Sequence, residues 1–241
     1  MTALSGFLLA TEATVEVPRD LIETRHPLVS NGPTLRYKGY SFNLTRWDEY
    51  ELLSPIPLGE EQLDRQPPYK YQVFIVRGHG KIIVLAERKR ISEYVIAAIL
   101  DKRIFPNFRK VSIYIDKMIE FCQAQDSEFL VTSLVGRFSG PSRSIRTISL
   151  YGDDVTDSPV FRDHFHLFNF FSCGLGRRLY DGIPRLKPNE DGEIVRLGND
   201  GGVTLNQTSR IRASEFIRVL SFVLRNRWVE AWVPIGGDDL R

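Results

Sequence analysis

Two apolar runs, each broken by a glycine-rich turn, constrain this chain more than any other feature. The first is Gln72-Val-Phe-Ile-Val-Arg77, the turn Gly78-His79-Gly80 and Lys81-Ile-Ile-Val-Leu85, with Ser92-Glu93-Tyr94-Val95 following. The second is Glu193-Ile-Val-Arg196, the turn Asn199-Asp200-Gly201-Gly202 and Val203-Thr-Leu205, with Ser214-Glu215-Phe216-Ile217 following. Glycine supplies the positive φ that tight turns need, and flanking β-branched residues favour paired strands. A serine before an amphipathic run reads as a helix N-cap. Each stretch therefore predicts a hairpin–helix (ββα) unit. The copies share Ile-Val-Arg before the turn and Ser-Glu-aromatic-aliphatic at the helix start. Yet 17 residues separate Ile75 from Ser92, and 20 separate Ile194 from Ser214. That mismatch favours two similar local structures over an internal duplication.

The remaining pattern is strand-rich. Residues 4–17 and 34–45 read as strands, and the proline-rich, acidic stretch 54–68 reads as a linker. It divides an acidic N-terminal subdomain (1–66) from a main domain (67–241). Ile115, Met118, Ile119 and Cys122 fall at helical spacing within 111–124, although Val-Ser-Ile-Tyr-Ile can also begin as a strand. Phe129–Val135 and Ser144–Tyr151 read as a hairpin with a long basic loop. Val160 to Cys173 reads as a strand, and Trp228 to Ile235 as a last strand. Phe216, Val219, Leu220, Val223 and Leu224 make the apolar face of a late helix. The fold class expected is α+β, a mostly antiparallel sheet with two hairpin–helix units and a few packed helices.

Charge narrows the function classes. The net charge is only +2, but positions 1–66 hold ten acidic and six basic residues, and positions 70–110 hold ten basic and three acidic ones. No stretch reaches the 18 or more apolar residues of a membrane helix, and no Lys or Arg precedes Arg19, so neither a membrane nor a cleaved secretory signal is expected. Cys122 and Cys173 lie in apolar surroundings without zinc spacing, which suits reduced thiols in a cytoplasmic protein.

Three chemistries can be weighed. The cluster Asp153, Asp154, Asp157, Asp163, His164 and His166 offers carboxylates for a hard cation and imidazoles for a softer one. It is the basis for a metal-dependent phosphohydrolase or nuclease. On a strand, His164 and His166 would share a face, but the carboxylates follow no recognised loop spacing and also suit an ordinary turn. Tyr151-Gly-Asp-Asp154 resembles the catalytic turn of palm-type polymerases and reverse transcriptases, with Ile115-Asp116 as the counterpart of their first aspartate. The resemblance implies two carboxylates holding two metals. The 37 residues between Asp116 and Asp153 are too few for that family's intervening elements. No serine-nucleophile elbow, dinucleotide fingerprint or phosphate-binding loop is present.

Basic residues at the joints have a broader base. Arg77, His79 and Lys81 surround one hairpin tip, Arg88, Lys89 and Arg90 precede a helix start, and Arg137, Arg143 and Arg146 flank the next hairpin loop. The expectation is a non-enzymatic interaction subunit of a larger, multiprotein assembly, without a cofactor or metal. Its partner would be a protein with acidic surface or a nucleic acid.

Overall fold

A computed structural model describes residues 3–10, 33–42, 46–59, 67–78, 81–97, 109–123, 129–139, 146–177, 193–205 and 232–234. Their strands are β1 (Leu4–Ala10), β2 (Thr34–Phe42), β3 (Arg46–Ser54), β4 (Tyr69–Gly78), β5 (Lys81–Ala86) and β6 (Arg109–Ile113). They continue as β7 (Phe129–Phe138), β8 (Thr147–Tyr151), β9 (Phe168–Arg177), β10 (Val195–Gly198), β11 (Gly202–Leu205) and β12 (Trp232–Pro234). Three short helices accompany them: α1 (Lys89–Val95), α2 (Ile115–Gln123) and α3 (Pro159–His164).

The strands form one 12-stranded sheet in the order β2-β3-β4-β5-β1-β11-β10-β9-β7-β8, with β6 joining β1 and β12. Every pairing is antiparallel. This overturns the expected α+β arrangement of hairpin–helix units and packed helices. Both hairpins do pair, Val73–Gly78 with Lys81–Ala86 and Val195–Leu197 with Val203–Leu205. They lie within one large sheet, however, with β1 between them, instead of forming separate units. The helix after the first hairpin has only seven residues, and the segment beginning at Ser214 lies outside the described residues.

Strand β1 is the seam of the sheet. One edge pairs with β5 along Ser5–Ala10. The other is shared end to end, with β11 at Leu4–Phe7 and β6 at Leu9–Ala10. The β10–β11 turn fills the gap between those two partners. Leu8 N donates to Gly201 O (2.9 Å) and Ile113 N to Asn199 O (3.1 Å). Gly201 has φ +78°, and a Cβ there would run into the Val111 carbonyl, so glycine is required twice over.

Two apolar clusters lie on opposite faces. On β4 and β5, Val73, Ile75, Ile82 and Val84 point into a cluster with Leu9, Tyr50, Ile91 and Val95. Phe74, Val76, Ile83 and Leu85 point into the other, with Leu8, Met118, Ile119, Leu134 and Cys173. The period of two along a strand explains the division. Strands buried on both faces need apolar residues at successive positions, which is what Ile82–Leu85 supplies.

Local corrections follow from the same packing. Ser92 is not an N-cap: α1 starts at Lys89, and the buried Ser92 hydroxyl donates to Ser5 O at 2.8 Å. Residues 111–113 are strand, and the helix begins only at Ile115, with Ile115, Met118, Ile119 and Cys122 buried. Val160 to Cys173 is not one strand but α3, a 3-10 turn (Phe165–Leu167) and then β9. Ser158 caps α3, its hydroxyl accepting from Phe161 N at 3.1 Å, with Pro159 in the first turn. Strand β3, unread in the sequence, pairs along its whole length with Tyr69–Arg77 of β4 and so ties residues 46–54 to the strand after the proline-rich stretch. Within that stretch Leu58 is buried, and its amide donates to the Tyr71 hydroxyl at 2.6 Å.

Candidate functional site

Strand directions decide which basic residues meet. Along β1, Ala10 lies level with Lys81, so the β4–β5 turn sits at the Ala10 end of the sheet. Following register through β11, β10 and β9, Gly198 and Ser172 point to that same end, and so do Phe138 and Phe168. The joined ends of β7 and β8 therefore lie at the same end of the sheet as Gly78 and Lys81. Four strands intervene, which at about 4.8 Å per step separates the two hairpin ends by roughly 24 Å.

At this edge the basic residues differ in character. Arg137 and Arg146 are exposed, and the Arg137 guanidinium lies 5.9 Å from the centre of the Phe171 ring. Lys81 is buried at the strand end, and burial pulls its amine below the usual lysine value. Arg77 is placed by its backbone pairing with Ile82. His79 and Arg143 lie outside the described residues.

The run Arg88-Lys89-Arg90 is not a uniform contact patch. Lys89 Nζ is 2.8 Å from Asp200 Oδ2 and 4.5 Å from the Phe7 ring centre. Lys110 Nζ sits 3.9 Å from the same ring and 3.9 Å from a Glu93 carboxylate oxygen. Burial alone would raise the Asp200 carboxyl. The hydrogen bonds from Lys89 and the Gly202 amide, with the lysine's charge, outweigh it and hold the group below 3.8. Arg88 lies against Gly59, where an added Cβ would come within 3.4 Å of its Nη1. Arg90 is exposed. Lys89 thus ties α1 to the β10–β11 turn, 111 residues away.

The acidic and histidine cluster is spread out rather than gathered. Asp154 Oδ1 accepts from the amide and hydroxyl of Thr156, at 3.1 and 2.6 Å, and so caps the 3-10 turn Val155–Asp157. Asp157 pairs with Arg162 at 3.1 Å. Asp153, Asp163, His164 and His166 are exposed. Asp153 and Asp154 follow the far end of β8, whereas the chain from His166 leads back toward the basic edge, where Ser139 N donates to Leu167 O (2.7 Å). Among the described residues no three His, Cys, Asp or Glu side chains are placed to hold a metal ion. Asp116 occupies the first turn of α2, and its carboxyl is raised by burial and then by the charge of Glu120. That setting, on a helix beside a like charge, differs from a strand-end metal ligand.

One polar group escaped sequence reading. The Glu193 carboxylate accepts from the Ser133 hydroxyl and from Arg196 Nη2 (3.0 Å), with Arg196 Nε at 3.0 Å from its second oxygen. Gly174 leaves room for it, since a Cβ there would strike both the Glu193 carboxylate and the Ser133 oxygen. Ser133 lies 60 residues from Glu193, and no local pattern links them. Nearby Cys173 is fully enclosed; burial first, then Cys122 and Glu193, push its thiol well above 9.0. Neither cysteine is in a disulfide and both are buried, which argues against a reactive thiolate.

No helix among the described residues is long and apolar enough to cross a membrane. Comparison with known proteins found no family model that matches the chain and no curated protein with detectable similarity to it.

Proposed function

We propose that the protein is a non-enzymatic interaction subunit that contacts single-stranded nucleic acid through the edge carrying Arg137 and Arg146. The observation that carries this reading is the register that brings the β4–β5 and β7–β8 hairpin ends to the same edge of the sheet. Exposed arginines there can neutralise phosphates, and the pairing of Arg137 with Phe171 supplies the cation-and-ring surface on which unpaired bases stack. Acidic protein partners would use the arginines but not the ring, which favours nucleic acid. The Asp200-paired Lys89 is reserved for the fold and takes no part in the binding.

The test is anisotropy of a labelled single-stranded oligonucleotide against the full chain over a series of salt concentrations. Arg137→Glu with Arg146→Glu is expected to weaken binding and to reduce the salt slope by about 0.7 for each phosphate no longer neutralised. Thermal unfolding should barely change, because both side chains are exposed. An unchanged affinity and slope would place the binding surface elsewhere. Binding of polyglutamate in preference to the oligonucleotide would replace nucleic acid with an acidic protein.

A further inference from the structure

The strands at the two ends of the sheet's main path are built differently. Among the described residues, β2 and β8 each have a single neighbour. Strand β2 carries exposed Arg36 and Lys38 and is broken by register shifts at Tyr37/Gly39 and Tyr40/Phe42. Charges and bulges of this kind discourage another strand from adding to an edge. Strand β8, Thr147-Ile-Ser-Leu-Tyr151, has neither. It pairs with β7 in unbroken register and bears no charge.

Its side chains alternate cleanly. Thr147, Ser149 and Tyr151 are exposed, Tyr151 at 67%. Ile148 and Leu150 are half-buried and pack on the margin of the larger apolar cluster. Among the described residues the core therefore ends at β8, with two incompletely covered aliphatic residues beside a strand edge that no described strand pairs.

We propose that β8 pairs antiparallel with β8 of a second copy of this chain, about a two-fold axis at Ser149. This register sets Thr147 beside Tyr151 of the second copy, and Ile148 beside its Leu150. Both half-covered aliphatics gain an apolar neighbour, and each exposed tyrosine gains a β-branched one, a favourable cross-strand pairing. Charge selects a second copy over an unrelated peptide. Exposed Arg146 precedes the strand and exposed Asp153 follows it. Antiparallel pairing of two copies brings the basic start of each strand to the acidic end of the other, with Arg146 level with Gly152 of the second copy and adjacent to its Asp153. The interface is isologous, so it closes at two copies instead of propagating. It stands on β8 and the charges that flank it and does not depend on the nucleic-acid reading.

Sedimentation of the full chain over a concentration series should show a monomer–dimer equilibrium. Ser149→Lys and Ser149→Glu place like charges across the axis, and each should abolish the dimer while leaving thermal unfolding of the dilute monomer unchanged. Mixing the two variants should restore a dimer containing one of each. Ser149→Cys should cross-link to itself under mild oxidation, reversibly on reduction. A wild-type chain that stays monomeric at the highest concentration overturns the proposal. So does a dimer that survives both charged variants, or a mixture of the two that remains monomeric.

Discussion

The β4–β5–β1 region and the β7–β8–β9 region are both antiparallel ladders with buried residues, yet the second ends in a strand, β8, whose surroundings differ from those of β5. All six residues of β5 are buried, and neighbours along β4 alternate between two apolar clusters. In β8 every second residue faces water, and even its inward aliphatics are only half covered. A strand buried on both faces anchors the sheet, whereas one buried on a single face can present polar and aromatic groups to a partner. Exposure, and not strand pairing, therefore separates β5 from β8.

Truncating one aliphatic residue in each region puts that division under the heaviest load. Leu85→Ala, at a fully buried position, is expected to cost about 2–5 kcal/mol, because lost burial adds to a cavity that packed strands cannot close. Leu150→Ala should cost about 1 kcal/mol, since its surroundings are already partly open. Equal losses in urea unfolding would erase the distinction. Gly201→Ala comes next. It forces a side chain into a left-handed backbone and against the Val111 carbonyl, a loss of about 1–3 kcal/mol, read by the same unfolding curves. A turn that tolerated alanine would show that the gap beside β1 is looser than its hydrogen bonds imply.

The smallest expected effect concerns the tie between Lys89 and Asp200. Both side chains are about half exposed, so solvent screening keeps the pair within about 0–1 kcal/mol. Its pH dependence is more telling than its size. Folding holds the Asp200 carboxyl below 3.8, so the native state favours the ionised form. That stability is present above pH 3.8 and is lost as pH falls through the lowered folded value. Wild type and Asp200→Asn should therefore differ at neutral pH and converge in acid. A gap that stays constant down to acid pH would remove the charge from the explanation.

Local features were legible in the sequence. Gly-centred turns between apolar runs gave both hairpins, and the spacing of Ile115, Met118, Ile119 and Cys122 gave the buried face of α2. The Ser158-Pro159 start of α3 was also visible in principle, as a cap residue followed by proline, but the Phe- and His-rich stretch after it read more strongly as strand. Strand order was not legible, because β1 takes its neighbours from three separate parts of the chain. The α+β expectation failed for that reason: hairpins seen singly suggest separate units, whereas here both are built into one 12-stranded sheet on either side of β1. At the candidate surface, the density of positive charge in Arg88-Lys89-Arg90 said nothing about Asp200, which engages Lys89 from 111 positions away. The exposed pair Arg137 and Arg146 was in view, but only the register showed that it shares an edge with the first hairpin.

Placing β1 between β5, β6 and β11 has a kinetic consequence. Leu4 lies opposite Leu205, so the central strand cannot complete its ladder until the polypeptide has been made as far as Leu205. Pairings of such separation carry a large loop-closure cost before any is repaid, and topologies that depend on them reach the native state slowly. During synthesis the Leu4–Ala10 segment has to wait with its apolar side chains unpaired, and β5 is the first partner to become available. Refolding should accordingly show an early phase that buries the first hairpin and a later one in which β11 arrives and the two halves become a single sheet.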